Sequence, residues 1–136
     1  MSDEDVELEN IRKKVLARIQ EENKNKEEKR MKPVELTDAT FNDEVKKSKI
    51  MVVDFWASWC APCRFLSPIV EELANEYSGK ISFGKVDVDA NPEVSSSFNI
   101  TSIPTVIMFK NGKVADVSIG AVPKAMLDAK LKKLLN

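Results

Sequence analysis

The stretch Asp54–Cys63, DFWASWCAPC, joins an apolar run to two cysteines at Cys-x-x-Cys spacing. The run from Ile50 to Ala57 is rich in β-branched and aromatic residues and has no helical period, which predicts a buried central strand. Apolar residues at helical spacing from about Ala61 to Tyr77 predict a long helix, kinked by the proline inside it. The cysteines are therefore expected at the carboxyl end of a strand and in the first turn of a helix, where ligands and reactions collect in open α/β sheets.

This position suits thiol chemistry. The start of a helix offers unpaired N–H groups and partial positive charge, which stabilise a thiolate and lower the pKa of a cysteine. We therefore expect Cys60 to be the nucleophile, and Cys63, one turn later, to attack a mixed disulfide formed at Cys60. Pro62 fits the first turn, where its missing N–H costs no helical bond, and it stiffens the short ring.

The rest of the chain alternates between strand and helix patterns. Asn111-Gly112 separates the last two strands, and this dipeptide is typical of a tight antiparallel hairpin. The element order predicts an α/β fold with a mixed five-stranded sheet flanked by helices on both faces. The other predicted elements are a strand at Pro33–Leu36, a helix capped by Thr37 or Asp38 that runs through Phe41 and Val45, a strand at Ile81–Val88, a helix from Pro92 to about Phe98, strands at Thr105–Lys110 and Lys113–Ile119, and a helix from about Pro123 to Leu135 with Met126, Leu127, Leu131, Leu134 and Leu135 facing inward.

Residues 1–32 differ from the rest, which begins at residue 33. They hold nine basic and nine acidic residues and no Gly, Pro or aromatic residue, a composition that cannot bury much by itself. Their apolar residues Leu8, Ile11, Val15 and Ile19 lie on one stripe of a helix, with Asp3–Asp5 in its expected first turn, and the stripe disappears in the polar connector from Glu21 to Lys32. This pattern predicts a frayed or surface-docked helix and a linker; a docking or dimerisation helix is the alternative.

The composition excludes several classes of function. Lys and Arg number 21 against 22 Asp and Glu, so there is no basic excess of the kind that binds nucleic acid or an anionic membrane. The chain has no histidine, which excludes triads and zinc sites that need imidazole. The acidic start and the lack of a long apolar run predict a cytoplasmic protein, where a close cysteine pair is catalytic or metal-binding sooner than a permanent crosslink.

Residues 33–136 resemble the thioredoxin family. The run Asp54–Cys63 is similar to the active-site signature of that family, whose usual form has Gly where this chain has Ala61. The resemblance implies the thioredoxin fold, reduction of client disulfides by dithiol–disulfide exchange, and no cofactor beyond the Cys60–Cys63 disulfide. Further similarities lie at Lys85–Asp89 with Asn91-Pro92, at Ile103–Thr105, at Phe109–Gly112 and at Gly120-Ala121.

The resemblance also implies roles for individual residues. Asp54, an acid in an apolar strand where desolvation should raise its pKa, would accept the proton of Cys63, and Lys85 on the next strand would tune it. Pro104, if cis, would leave the preceding backbone edge free to pair with an extended client. The residues implied to bind the client are Trp59, Ala61, Ile103, Pro104 and Gly120.

Three interpretations of function follow. The first is a general protein-disulfide reductase. For this function the family resemblance implies two kinds of partner, a thioredoxin reductase as electron donor and client proteins that carry disulfides. We expect the protein to be a monomer. The second is a metal-binding module, which would need a dimer because two cysteines are half of a four-coordinate site. The third is a specialised redox adaptor, or an isomerase-like variant, directed to one partner by residues 1–32. Ala61 replaces the usual Gly of the family in the dipeptide that controls the redox potential. We therefore expect the potential to differ from that of the usual motif, in a direction that the residues alone do not decide.

Overall fold

The computed structural model of the chain describes residues 9–18 and 32–136. Contacts divide the chain into two units, Met1–Met31 and Lys32–Asn136. In the first unit, residues 9–18 are helical (α1), and Ile11 and Val15 of the predicted apolar stripe are exposed. Leu8, Ile19, the predicted first turn at Asp3–Asp5 and the connector up to residue 31 lie outside the described residues. No described helix is long and apolar enough to cross a membrane.

The second unit contains five strands and four helices among its described residues, in the predicted order. Every predicted element is present, with ends that differ by only a few residues from those predicted. The elements are β1 (Val34–Glu35), α2 (Phe41–Lys47), β2 (Ile50–Trp56), α3 (Ala61–Glu76), β3 (Ser82–Asp87), α4 (Pro92–Ser97), β4 (Thr105–Lys110), β5 (Lys113–Ile119) and α5 (Lys124–Leu135).

The strands form one sheet in the order β1-β3-β2-β4-β5. The pairs β1–β3 and β2–β3 are parallel, and β2–β4 and β4–β5 are antiparallel, which confirms the predicted mixed sheet and the hairpin. Asn111 in the hairpin turn has a φ of 54° and Gly112 one of 80°, the left-handed conformation that this turn requires. The central strand β2 is buried along nearly its whole length because it has a neighbouring strand on each side and helices on both faces.

Two apolar cores lie on opposite faces of the sheet. One holds Leu66, Val70 and Leu73 of α3 together with buried leucines of α5. The other holds residues of α2 and α4 and includes a group of packed phenylalanines. Because helices cover both faces of the sheet, a functional site is expected at the end of the sheet where β2 leads into α3. Helix α3 runs without interruption through Pro68.

Two local predictions were wrong. Neither Thr37 nor Asp38 is the N-cap of α2, which begins at Phe41 after Thr40 and has no side-chain cap hydrogen bond. Asp38 instead reaches α4, where its Oδ1 accepts a hydrogen bond from Val94 N (2.8 Å) and its Oδ2 one from Glu93 N (3.4 Å). This cap joins segments 56 residues apart in sequence, so local patterns could not reveal it.

The second error concerns α5. Met126 and Leu135 were expected to face inward, but both are exposed, whereas Leu127, Leu131 and Leu134 are buried. The three buried leucines follow a 4-3 spacing and lie on one stripe that faces the sheet. At 100° per residue, Met126 stands about 80° to one side of that stripe, and Leu135, the last residue of the helix, about 40° to the other side. Phe65 of α3 is likewise exposed, although it lies within the apolar run that predicted this helix.

Candidate active site

Cys60 and Cys63 form a disulfide, with a Cα–Cα distance of 5.3 Å. Cys60 is the N-cap of α3, and its Sγ accepts a hydrogen bond from Cys63 N at 3.2 Å. Pro62 occupies the first turn, where it has no helical hydrogen bond to lose. The sulfur that caps the helix therefore lies against the positive end of the helix dipole, the environment that stabilises a thiolate.

The two cysteines are recessed. Cys60 is 4% exposed and Cys63 is 3% exposed, and both pack against Ala57 in a small apolar cluster. The flanking residues Trp59, Ala61 and Pro62 are exposed. A partner that reaches the sulfur of Cys60 must therefore fit closely against the surface around it.

Asp54 lies in the middle of β2 and is 4% exposed. Its Oδ1 has no hydrogen-bond partner among the described residues. Desolvation raises the pKa of this carboxyl from 3.8 to about 7, although the positive charge of Lys85 opposes the increase. A carboxyl group with this pKa can both accept and release a proton at neutral pH.

Lys85 pairs with Asp54 in the parallel register of β2 and β3. Its Nζ lies 5.7 Å from the ring centroid of Trp56, within the range of a cation–π interaction. Trp56 is half-buried beside the cysteine cluster, and its Nε1 has no partner among the described residues. The strand register and the indole ring of Trp56 thus keep the ammonium group of Lys85 near the carboxyl group of Asp54.

A cavity of about 360 Å³ connects Cys63 with this pair. Cys63, Asp54 and Lys85 all contribute to its wall, so the resolving sulfur and the titrating carboxyl group share one space. A cavity of this size, with the polar groups of Asp54, Lys85 and Ser67 in its wall, can hold water that carries a proton between Cys63 and Asp54. The remaining lining residues are Trp56, Ala57, Ser58 and Arg64.

The predicted client-binding residues lie around the disulfide. Ile103 and Pro104 are joined by a cis peptide bond, and Cys60 Sγ lies 3.8 Å from the carbonyl oxygen of Ile103. Gly120 has a φ of 92°, and its N–H donates to Pro104 O at 2.8 Å, which holds the end of β5 beside the cis proline. Trp59 is 67% exposed. The structure thus brings every predicted site residue to one end of the sheet or to the cavity beneath it.

Two residues near the site have no predicted role. Asp89 Oδ2 accepts a hydrogen bond from Trp59 Nε1 at 2.8 Å, which fixes the indole ring beside Cys60. Arg64 donates from Nη2 to Ser58 O at 2.7 Å and closes the loop before the cysteines. Asp89 could have been noticed as a polar residue directly after the predicted strand Ile81–Val88. Nothing in the sequence distinguishes Arg64 from an ordinary exposed arginine on a helix.

Among the described residues there is no group of three or more His, Cys, Asp or Glu side chains placed to hold a metal ion. The cysteines themselves are joined to each other, as expected for a redox pair. The site therefore has the parts needed for thiol–disulfide exchange: two adjacent sulfurs, a helix N-terminus and a buried acid that titrates near neutrality.

Comparison with known proteins gives the same result. The thioredoxin family profile matches residues 32–133. Over 102 residues the chain is 50% identical to Thioredoxin 1 of Nostoc sp., which covers 74% of this chain and 95% of the relative. It is 50% identical over 101 residues to Thioredoxin 1 of Synechococcus elongatus, covering 74% and 94%, and 46% identical over 100 residues to the thioredoxin of Alicyclobacillus acidocaldarius, covering 74% and 95%. The chain belongs to the thioredoxin family of thiol-disulfide oxidoreductases.

Proposed function

We propose that this protein reduces disulfide bonds in client proteins, with Cys60 as nucleophile and Cys63 as resolving cysteine. The observation that carries the proposal is the Cys60–Cys63 pair at the start of α3, with Cys60 capping the helix and Cys63 at the wall of the cavity that holds Asp54. In the dithiol form, the thiolate of Cys60 attacks one sulfur of a client disulfide. The client S–S bond breaks, a Cys60–client mixed disulfide forms, and the first client sulfur leaves as a thiolate that takes up a proton from water.

The second step belongs to Cys63 and Asp54. The Asp54 carboxylate accepts the proton of the Cys63 thiol through water in the cavity, and the thiolate of Cys63 attacks Cys60 Sγ. The Cys60–client bond breaks and the second client sulfur leaves and is protonated. Two electrons have moved from the protein to the client, and the protein is left with the Cys60–Cys63 disulfide.

Lys85 acts on this step through Asp54. Its positive charge favours the ionised carboxylate and so keeps the pKa of Asp54 from rising beyond about 7. Trp59, Ala61, Ile103 and Gly120 would form the surface that receives the client, with the side chain of the cis residue Pro104 buried beneath it. The backbone of Ile103, whose carbonyl oxygen lies 3.8 Å from Cys60 Sγ at the cis peptide bond, would pair with an extended client segment in a strand-like manner.

The proposal extends to partners and compartment. A thioredoxin reductase would return two electrons to the disulfide, and the clients would be cytoplasmic proteins that carry disulfides. The protein would act as a monomer, with residues 33–136 as the redox domain and residues 1–32 as an extension. The family membership supports the partners, while no finding favours the alternative of an adaptor or isomerase.

The test is reduction of insulin by the purified full-length protein, recycled with dithiothreitol and followed by precipitation of the released B chain. We expect the wild-type protein to accelerate precipitation well above dithiothreitol alone, and Cys60→Ser to match the reagent alone. An inactive wild-type protein, or a fully active Cys60→Ser variant, would contradict the proposal.

A further inference from the structure

Three large hydrophobic side chains are more than 60% exposed among the described residues, and each lies near a cysteine or the cis proline in sequence or by strand pairing. They are Trp59 at 67%, Phe65 at 69% and Ile119 at 65%. Trp59 directly precedes Cys60. Ile119 is paired with Thr105, the residue after Pro104. Single exposed apolar residues are ordinary on a protein surface, but the clustering of the three most exposed around one site indicates a contact surface.

Phe65 and Ile119 are the members of this group that the reaction described above does not use, and of these two Phe65 lies on the helix that carries the cysteines. It lies four residues after Ala61 and three after Pro62, so helical geometry places it on the same face of α3 as these two residues between the cysteines. Side chains in a helix lean toward its N-terminus and cover the preceding turn. Phe65 therefore extends toward the disulfide end of α3.

The burial pattern of α3 shows why Phe65 stays outside the core. Cys63, Leu66 and Val70 are buried against the sheet, and Phe65 stands about 200° around the helix from Cys63 at 100° per residue. Packing against the sheet therefore does not require a phenylalanine here. Exposing a ring of this size to water forgoes the stabilisation that burial would give, and contact with a partner would recover it.

We propose that Phe65 is a specificity-determining residue that contacts a large apolar side chain of the client near the reacting disulfide. The proposal rests on the proposed function and names its preferred substrates: polypeptides whose disulfide is flanked by bulky apolar residues. Because Cys60 is only 4% exposed, a client must lie against the surrounding surface to react, and the ring is placed to form part of that surface. Trp59 and Ile119 lie at other edges of the same surface.

The test uses two synthetic peptides, each with one intramolecular disulfide, identical except that the residues beside the cysteines are Leu and Phe in one and Ser in the other. Oxidised glutathione serves as a small disulfide that has no bulky apolar side chain. The full-length wild-type protein is compared with Phe65→Ser, with Phe65→Leu, and with the matched control Met126→Ser, which removes an exposed apolar residue from α5. Each variant's thermal unfolding midpoint is measured first and is expected to match the wild type, because both positions are exposed.

We expect Phe65→Ser to lower kcat/KM for the apolar peptide about fivefold or more, as for other central contact aromatics, and to change the other two substrates less than about twofold. Phe65→Leu should retain most of the preference, and Met126→Ser should retain all of it. An equal loss on all three substrates, or no loss on any, would overturn the inference while leaving the proposed function intact. A wild-type protein inactive toward all three would overturn both.

Discussion

Asp54 and Lys85 stand opposite each other on the parallel strands β2 and β3, and both line the cavity beneath Cys63. Burial raises the pKa of the Asp54 carboxyl to about 7, and Lys85 limits that increase. The chain has no histidine. A buried carboxyl group with this pKa is therefore suited to the proton exchange near neutrality that an imidazole often provides in other enzymes.

The first prediction concerns the rate of the resolving step. Asp54→Asn removes the proposed proton acceptor, so attack by Cys63 on the mixed disulfide should slow about 100-fold at pH 7.5, the low end for loss of a general base. In the wild type the rate should rise with pH through about 7, as Asp54 ionises, and the variant should lack this rise. Stopped-flow tryptophan fluorescence between pH 5.5 and 9 measures both. A variant profile that keeps a midpoint near 7 would show that another group is responsible.

The same substitution, which should slow the reaction, should make the folded protein more stable. Between pH 3.8 and about 7 the folded protein holds a proton that the unfolded chain releases, so the wild type loses stability as the pH rises through this interval. The loss is on the order of 4 kcal/mol once Asp54 is fully ionised. Asp54→Asn should therefore raise the free energy of unfolding by a few kcal/mol at pH 8 and by much less at pH 4. Urea denaturation at the two pH values tests this, and an equal effect at both would contradict it.

Removal of the charge of Lys85 gives a third prediction. In Lys85→Met the carboxyl group loses its nearest favourable charge, so the pKa of Asp54 should rise further above 7. The midpoint of the rate profile should move to higher pH with it, while Lys85→Arg should keep the wild-type midpoint. Titration of the Asp54 carboxyl carbon by NMR checks the shift directly. An unchanged midpoint in Lys85→Met would mean that desolvation alone sets the pKa.

The central part of this site was predictable because its signals are local. The Cys-x-x-Cys spacing, the proline in the first turn and an acid in an apolar strand all lie within Asp54–Cys63, and the structure places them at the end of β2 and the start of α3. The pairing of Asp54 with Lys85 was harder to predict. The residues alone made an ordinary surface lysine nearly as good an interpretation, because the position of Lys85 beside Asp54 depends on the register of two strands.

The cap of α4 provides a fourth prediction. Asp38→Ala removes the acceptor for Val94 N and Glu93 N and should lower the free energy of unfolding by about 1 kcal/mol. Asp38→Asn keeps one oxygen for Val94 N and should cost less. Asp43→Ala, an exposed position in α2, should change stability by no more than about 0.5 kcal/mol. Chemical denaturation of the three variants gives the comparison, and equal losses for Asp38→Ala and Asp43→Ala would argue against the cap.

Sequence patterns gave wrong predictions where a local pattern fits two arrangements equally well and contacts with distant parts of the chain decide between them. Asp38 lies beside a helix start that it could cap, yet it bonds to the start of a different helix. Met126 lies next to the buried Leu127, and only the position of the sheet decides which of the two is covered. Phe65 lies within the apolar run that predicted α3 but is exposed, because it stands on the side of the helix opposite the buried Cys63.

The most direct test of the proposed chemistry is to trap its intermediate. Reduced Cys63→Ser is mixed with a disulfide-bearing client such as insulin, quenched with acid, and examined by intact mass and peptide mapping. The account predicts a covalent one-to-one adduct through Cys60 that dithiothreitol releases, and no adduct for Cys60→Ser under the same conditions. An adduct through Cys63 in Cys60→Ser, or no adduct in Cys63→Ser while the wild type reduces the client, would contradict the assignment of Cys60 as nucleophile.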